Sequence, residues 1–209
     1  MKRARKIGGV AVILFGLLAS ALCADAPVRV DDSTPMGFLH LTCKALPSGG
    51  LPAALGFFFT TKKGDVEVAK LSAEYVLAIA KLEETVRKKW GQAGDDKVVH
   101  ALGEHAEADL SAGKMSVTGD HAKFQFAGDN SPIALIKVAG RWKIDLGENL
   151  GQSDPQEQAG YRYRLKATAV LANQLNADVS GGKYASVDAV CKAATLGITL
   201  IIETPVPNN

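Results

Sequence analysis

The residues of this chain whose types and spacing could do chemistry are its histidines and the acids beside them. His100-Ala-Leu-Gly-Glu104-His105 gathers metal-ligating and proton-carrying side chains within one short stretch. Zinc-binding helices set two histidines one turn apart, so that both rings reach one ion. His100 and His105 would instead stand about 140° apart around a helix. The inverted His-x-x-Glu-His pattern fails too, because one extra residue separates His100 from Glu104. The spacing fits solvated one-turn pairs, His100 with Glu104 and His105 with Asp109. His121 follows the Gly119-Asp120 turn signal; as a general base it would need a pocket and an orienting partner, and it reads as an exposed turn histidine. Asp145 lies near Trp142 but alternates outward. Arg162, Tyr163, Arg164 and Lys166 form a small basic-aromatic cluster. Phosphate or nucleic-acid binding asks for more positive charge, so these read as long side chains lying along a helix with their heads in water. Gly49-Gly50 and Gly181-Gly182 match no phosphate-loop spacing, and no nucleophile elbow or CxxC pair is present. The sequence therefore assigns no catalytic, cofactor-binding or metal-binding residue, and the expectation leans away from an enzyme.

The cysteines carry a second kind of chemistry. Residues 1–24 hold Lys2, Arg3, Arg5 and Lys6, then an apolar run from Ile7 to Leu22, then small residues. That is the layout of a secretory signal, with an apolar run too short to span a bilayer. Cys23 could be a lipid-attachment site, but bulky Leu22 stands where such signals carry a small residue, which favours cleavage after Ala24. Export places the remainder in an oxidising compartment, periplasmic or secreted, where the even pair Cys43 and Cys191 could bridge. The bridge would close a loop worth roughly 5 kcal/mol in the chain-entropy model; the alternative is two small buried side chains that never meet. Removing four positive charges from a formal net charge of +2 leaves −2, so nothing suggests a nucleic-acid partner.

The elements that must position these residues follow from periodicity. Residues 25–33 read as a flexible leader and 204–209 as a tail. Thr34-Pro35 opens a helix that Pro47-Ser48-Gly49-Gly50 stops, and apolar 51–59, with three consecutive phenylalanines, reads as a core plug. Val68, Leu71, Tyr75, Ile79, Leu82, Val86 and Trp90 recur every three or four residues and predict a helix over 65–90. A shorter helix capped by Asp95 or Asp96 should run to about Ala108. The period then falls to two. Four short strands between about 113 and 146, separated by Gly119-Asp120, Asp129-Asn130-Ser131-Pro132 and Ala139-Gly140, predict an antiparallel meander with one wet face. Asp154-Pro155, with Glu157 three residues after the cap, opens a helix that Gly181-Gly182 ends, and Ser186 caps a last helix toward Ile202.

Helices followed by such a sheet, closing with Ile133-Ala-Leu-Ile-Lys-Val-Ala-Gly-Arg-Trp-Lys-Ile-Asp-Leu146, resemble the NTF2-like (cystatin-like, SnoaL-type) superfamily. Val117-Thr-Gly-Asp-His-Ala-Lys-Phe124 resembles a hairpin of its exported bacterial members. The resemblance covers about residues 34–147. It implies an α+β domain over 34–150, with helices packed on a curled antiparallel cone, and a C-terminal helical extension over 151–203. Superfamily enzymes place Asp, His or Tyr on the inner face of the cone. Here the inward positions are Ala, Phe, Ile, Leu and Trp, so no catalytic residue carries over.

The functional expectation is an exported, non-catalytic ligand-binding or accessory domain of the cell envelope. Its partners would be a small hydrophobic ligand, a partner protein or a second copy in a homodimer, with no cofactor and no membrane-spanning helix after cleavage. The alternatives are a cone enzyme of isomerase or dehydratase type and a purely structural or dimerisation module.

Overall fold

The structure, a computed structural model, describes residues 33–44, 50–62, 64–151 and 155–206, with only the backbone at 43 and 44. The export signal at 1–24, the leader up to residue 32, the Asp154 cap and the Cys43 half of the Cys43–Cys191 bridge lie outside the described residues. Helix α1 (Pro35–Lys44) starts as its sequence dictates: Thr34 Oγ1 accepts the Gly37 N–H at 3.0 Å and proline fills the first helical position. The long helix α3 is Asp65–Trp90, α6 is Pro155–Ser180, and α7 is Val187–Glu203 with the Ser186 hydroxyl accepting the Ala189 N–H.

The four expected strands form and pair consecutively: β2 (Lys114–Thr118), β3 (His121–Gln125), β4 (Ile133–Val138) and β5 (Arg141–Asp145). Ala122, Phe124, Ile133, Leu135, Trp142 and Ile144 are buried, while His121, Lys123, Gln125 and Arg141 are exposed. Ala139 (φ 50°) and Gly140 (φ 83°) form the two-residue turn that fixes the β4–β5 register, Val138 opposite Arg141. The wet face is covered in one place. The short helix α5 (Leu146–Leu150) clamps β4 through Asn149, whose amide both donates to the Ala134 carbonyl and accepts from its N–H at 2.9 Å.

Two expectations are corrected. The 51–59 segment is not one plug: it divides into α2 (Gly50–Leu55) and a two-residue strand, β1 (Phe58–Phe59), which pairs in parallel with β5, Phe58 opposite Ile144. The sheet is thus five-stranded, mixed and open, in the order β1-β5-β4-β3-β2. The helix expected from Asp95 or Asp96 to Ala108 is displaced. Gly91, at φ 75°, breaks α3 and lets α4 (Gln92–Ala101) begin at once, while Gly103, at φ 79°, turns the chain away before a separate 3-10 turn, Glu107–Ala112. Asp95 therefore falls inside the fold rather than at a cap.

The helices form a layer of their own. α6 lies along α3, and α7 packs on α6 and α4. α3 is buried on more than one side, since Ala73, Val76 and Ala80 disappear from solvent together with Val68, Ile79 and Val86. Where α7 crosses α6, Gly197 lies so close to Leu171 that a Cβ would stand 2.6 Å from its Cδ1. One apolar cluster joins both layers, including Phe38 and Leu39 of α1, Phe124, Leu135 and Trp142 of the sheet, and Leu165 and Leu175 of α6. Among the described residues, no helix is long and apolar enough to cross a membrane.

Candidate functional site

The early end of α4 decides where the chemistry gathers. His100 stays on its last turn, exposed, while the Gly103 turn sends Glu104 inward to 5% exposure. There the buried Tyr75 hydroxyl donates to Glu104 Oε1. The expected His100–Glu104 pair therefore does not form. His100 Nε2 instead bonds Asp109 Oδ2 at 3.0 Å, and the same oxygen accepts the Ala106 N–H at 2.8 Å. The expected His105–Asp109 pair does form, loosely, at 3.6 Å from Nδ1, and His105 Nε2 bonds Asp129 Oδ2 at 3.0 Å. The His105 ring stacks on Phe126 with centroids 3.8 Å apart. Imidazoles and carboxylates thus alternate, His100–Asp109–His105–Asp129, and the first three line a cavity of about 260 Å³ that Glu104 also lines.

Burial raises the Glu104 carboxyl well above its ordinary range, against the pull of the Tyr75 hydroxyl. Partial burial works upward on Asp109 as well, but the bonds from His100 and the Ala106 N–H, with the two imidazoles, outweigh it and hold that carboxyl below its usual value. Two neighbouring acids on one cavity are thereby pushed in opposite directions.

Deeper in the helical layer lies a second acidic group. Arg87 donates to Asp95 Oδ2 from both Nε (3.1 Å) and Nη2 (2.8 Å), while Asp95 Oδ1 and Glu83 Oε2 are buried with no hydrogen-bond partner among the described residues. Burial, reinforced by the Asp95 charge and opposed by Arg87, raises Glu83 well above the carboxylate range; burial also lifts Asp95 to about 7 against Arg87. With one guanidinium for two acids, the arrangement is neutral when Glu83 keeps its proton and Asp95 its charge. The sequence carried a signal for this: Glu83 falls four residues after Ile79 and three before Val86, on the buried side of α3.

On the other side of the 3-10 turn is a larger cleft of about 580 Å³ between α1, α4 and that turn. Met36, Leu110 and Ala108 give it apolar walls; His40, Glu107, Gln92 and Asp96 give it a polar rim. His40 Nδ1 bonds Glu107 Oε1 at 3.0 Å, fixing α1 to the turn, and Gln92 Nε2 donates to Asp96 Oδ1 at 2.7 Å. The 3-10 turn is the partition between the two hollows, with His40 holding one side and His100 and His105 the other.

The remaining sequence candidates are placed as follows. His121 is exposed at the start of β3, and Asp145 is half-buried as the N-cap of α5. The ligand atoms of His121, Asp145 and Glu148 lie within 4.8 Å of one another, a convergence that strand alternation alone did not reveal. Arg162, Tyr163 and Arg164 are half-buried and Lys166 exposed, with Arg162 Nε 3.5 Å from Glu67 Oε2. Cys191 is half-buried on α7. Comparison with known proteins finds no matching family model, curated protein or solved structure.

Proposed function

We propose that the protein is an exported, non-catalytic ligand-binding or accessory domain of the cell envelope, built on an NTF2-like frame, and that it binds a small, mainly apolar ligand in the cleft between α1, α4 and the 3-10 turn. The observation that carries this reading is the cleft: about 580 Å³, with apolar walls and a few fixed polar groups at its rim, within the usual size of small-molecule sites. The four-strand meander under helices supports the NTF2-like frame, and the basic and apolar run of residues 1–24 supports export.

Nile red, a neutral apolar probe, should bind saturably at about one equivalent. Ala108→Trp, which fills the cleft, should weaken it about tenfold or more, a loss of at least ~1.4 kcal/mol. Val117→Trp, on an exposed strand position, should not. Equal affinities in the two variants would refute the cleft as the site. Export is checked separately by intact mass: the mature chain should begin at Asp25, and a diacylglycerol adduct on Cys23 would overturn cleavage after Ala24.

A second reading, an acid–base enzyme, is favoured by one observation, the meeting of His100, Glu104, His105 and Asp109 on one small cavity. Against it, both His105 nitrogens already face carboxylates and Glu104 is occupied by Tyr75. A general base needs a group free to reach the substrate, so this chain of pairs serves better to hold the 3-10 turn in place.

A further inference from the structure

We propose that His121, Asp145 and Glu148 form a binding site for a divalent transition metal of the zinc class on the solvent side of the sheet. Three separate elements supply the ligands: the first residue of β3, the last of β5 and the middle of α5. His121 lies opposite Ile136 on β4, which lies opposite Lys143 on β5, so the imidazole reaches across a strand to the end of β5. One nitrogen and two carboxylate oxygens then lie within 4.8 Å of one another. In a tetrahedral zinc site, with bonds of about 2.0–2.2 Å, ligand atoms stand roughly 3.3–3.6 Å apart. Side-chain adjustments of about an ångström close that difference, and all three side chains retain access to solvent in which to make them.

The existing bonds leave a ligand atom free on two of the three residues and set a displaceable ammonium on the third. The His121 imidazole has no hydrogen-bond partner among the described residues. Asp145 spends Oδ1 on the Glu148 N–H at 3.1 Å, which caps α5, fixes the two carboxylates beside each other and leaves Oδ2 to ligate. Glu148 Oε1 meets Lys123 Nζ at 2.7 Å. The lysine is thus a monovalent cation already paired with one of the ligand carboxylates, and a dication would displace it. A mixed nitrogen and oxygen set suits zinc and its neighbours, whereas magnesium and calcium favour all-oxygen shells. Three protein ligands leave an open position for water.

The test uses the full chain stripped with a chelator, titrated by calorimetry with Zn²⁺ and by absorption with Co²⁺. One equivalent should bind, with Co²⁺ bands of four-coordinate intensity. His121→Ala should weaken binding about tenfold or more, and His100→Ala should leave it unchanged. Lys123→Met, which removes the competing ammonium, should strengthen it several-fold, an effect that misfolding would not produce. No binding up to 0.1 mM Zn²⁺, an unaltered isotherm in His121→Ala, or weaker binding in Lys123→Met would each overturn the site.

Discussion

Trp142→Ala is expected to lower stability by about 3–5 kcal/mol, as truncation of large core side chains does, while Arg141→Ala should cost less than about 1 kcal/mol. The neighbours differ because the β4–β5 turn fixes which face each takes. Trp142, Ile144 and Leu146 are buried and Arg141 is exposed. A one-residue slip would exchange all of them. Trp142 also donates its Nε1–H to the Ser33 carbonyl at 3.0 Å, just before α1. Its loss should therefore loosen α1 and, with it, Met36 and His40 in the cleft wall. Denaturant melts of the two variants decide the matter; equal, small losses would mean that the sheet faces the other way.

Glu83→Gln should stabilise the protein at pH 8 by about 1–3 kcal/mol, since the wild type must take up a proton on Glu83 in order to bury it at that pH and the neutral amide needs none. It should also flatten the dependence of stability on pH. The folded protein holds a proton on Glu83 that the unfolded chain gives up above about pH 4.3. Stability from this group is therefore full below that pH and falls as pH rises toward the folded value, by about 1.4 kcal/mol per unit. Asp95, lifted to about 7, acts in the same direction. The charged groups acting on Glu83 are Asp95, Glu104 and Asp96, which raise it, and Arg87, which lowers it. Asp109, held low, has the opposite sign: its contribution is present above the unfolded value near 4 and is lost only as pH falls below it. The wild type should thus melt higher at pH 5 than at pH 8. Thermal melts across that range test both points; a variant that melts lower at pH 8 with an unchanged slope would refute a protonated Glu83.

Periodicity made most of the architecture legible. Seven apolar residues at helical spacing marked 65–90, and α3 spans Asp65–Trp90. Alternation marked four strands, and the closing tryptophan marked the inner face. What escaped was set by short-range geometry that no period records. β1 has two residues, too few to show alternation, and its partner lies more than eighty residues away. Asp95 resembled a helix cap because two glycines precede it, but Gly91 alone stops α3 and the next helix begins beside it. The histidine arithmetic placed His100 and His105 on one helix, which holds only for His100. It could not foresee that α4 ends at Ala101, after which a turn folds Asp109 back between them. Glu83 was readable from its spacing within the stripe, although acidic residues in that helix are easily assigned to solvent.

The covering of α3 by α6 ties completion of the core to a distant part of the sequence. α3 is complete at Trp90, yet the helix that lies along it ends only at Ser180. Until the folded layers close over it, Glu83 stands in water and carries its charge. Enclosure raises that carboxyl well above its ordinary range, so folding near neutral pH takes up acid from the medium. The carboxylate that weakens the finished protein at neutral pH thus makes closure of the core a proton-consuming step.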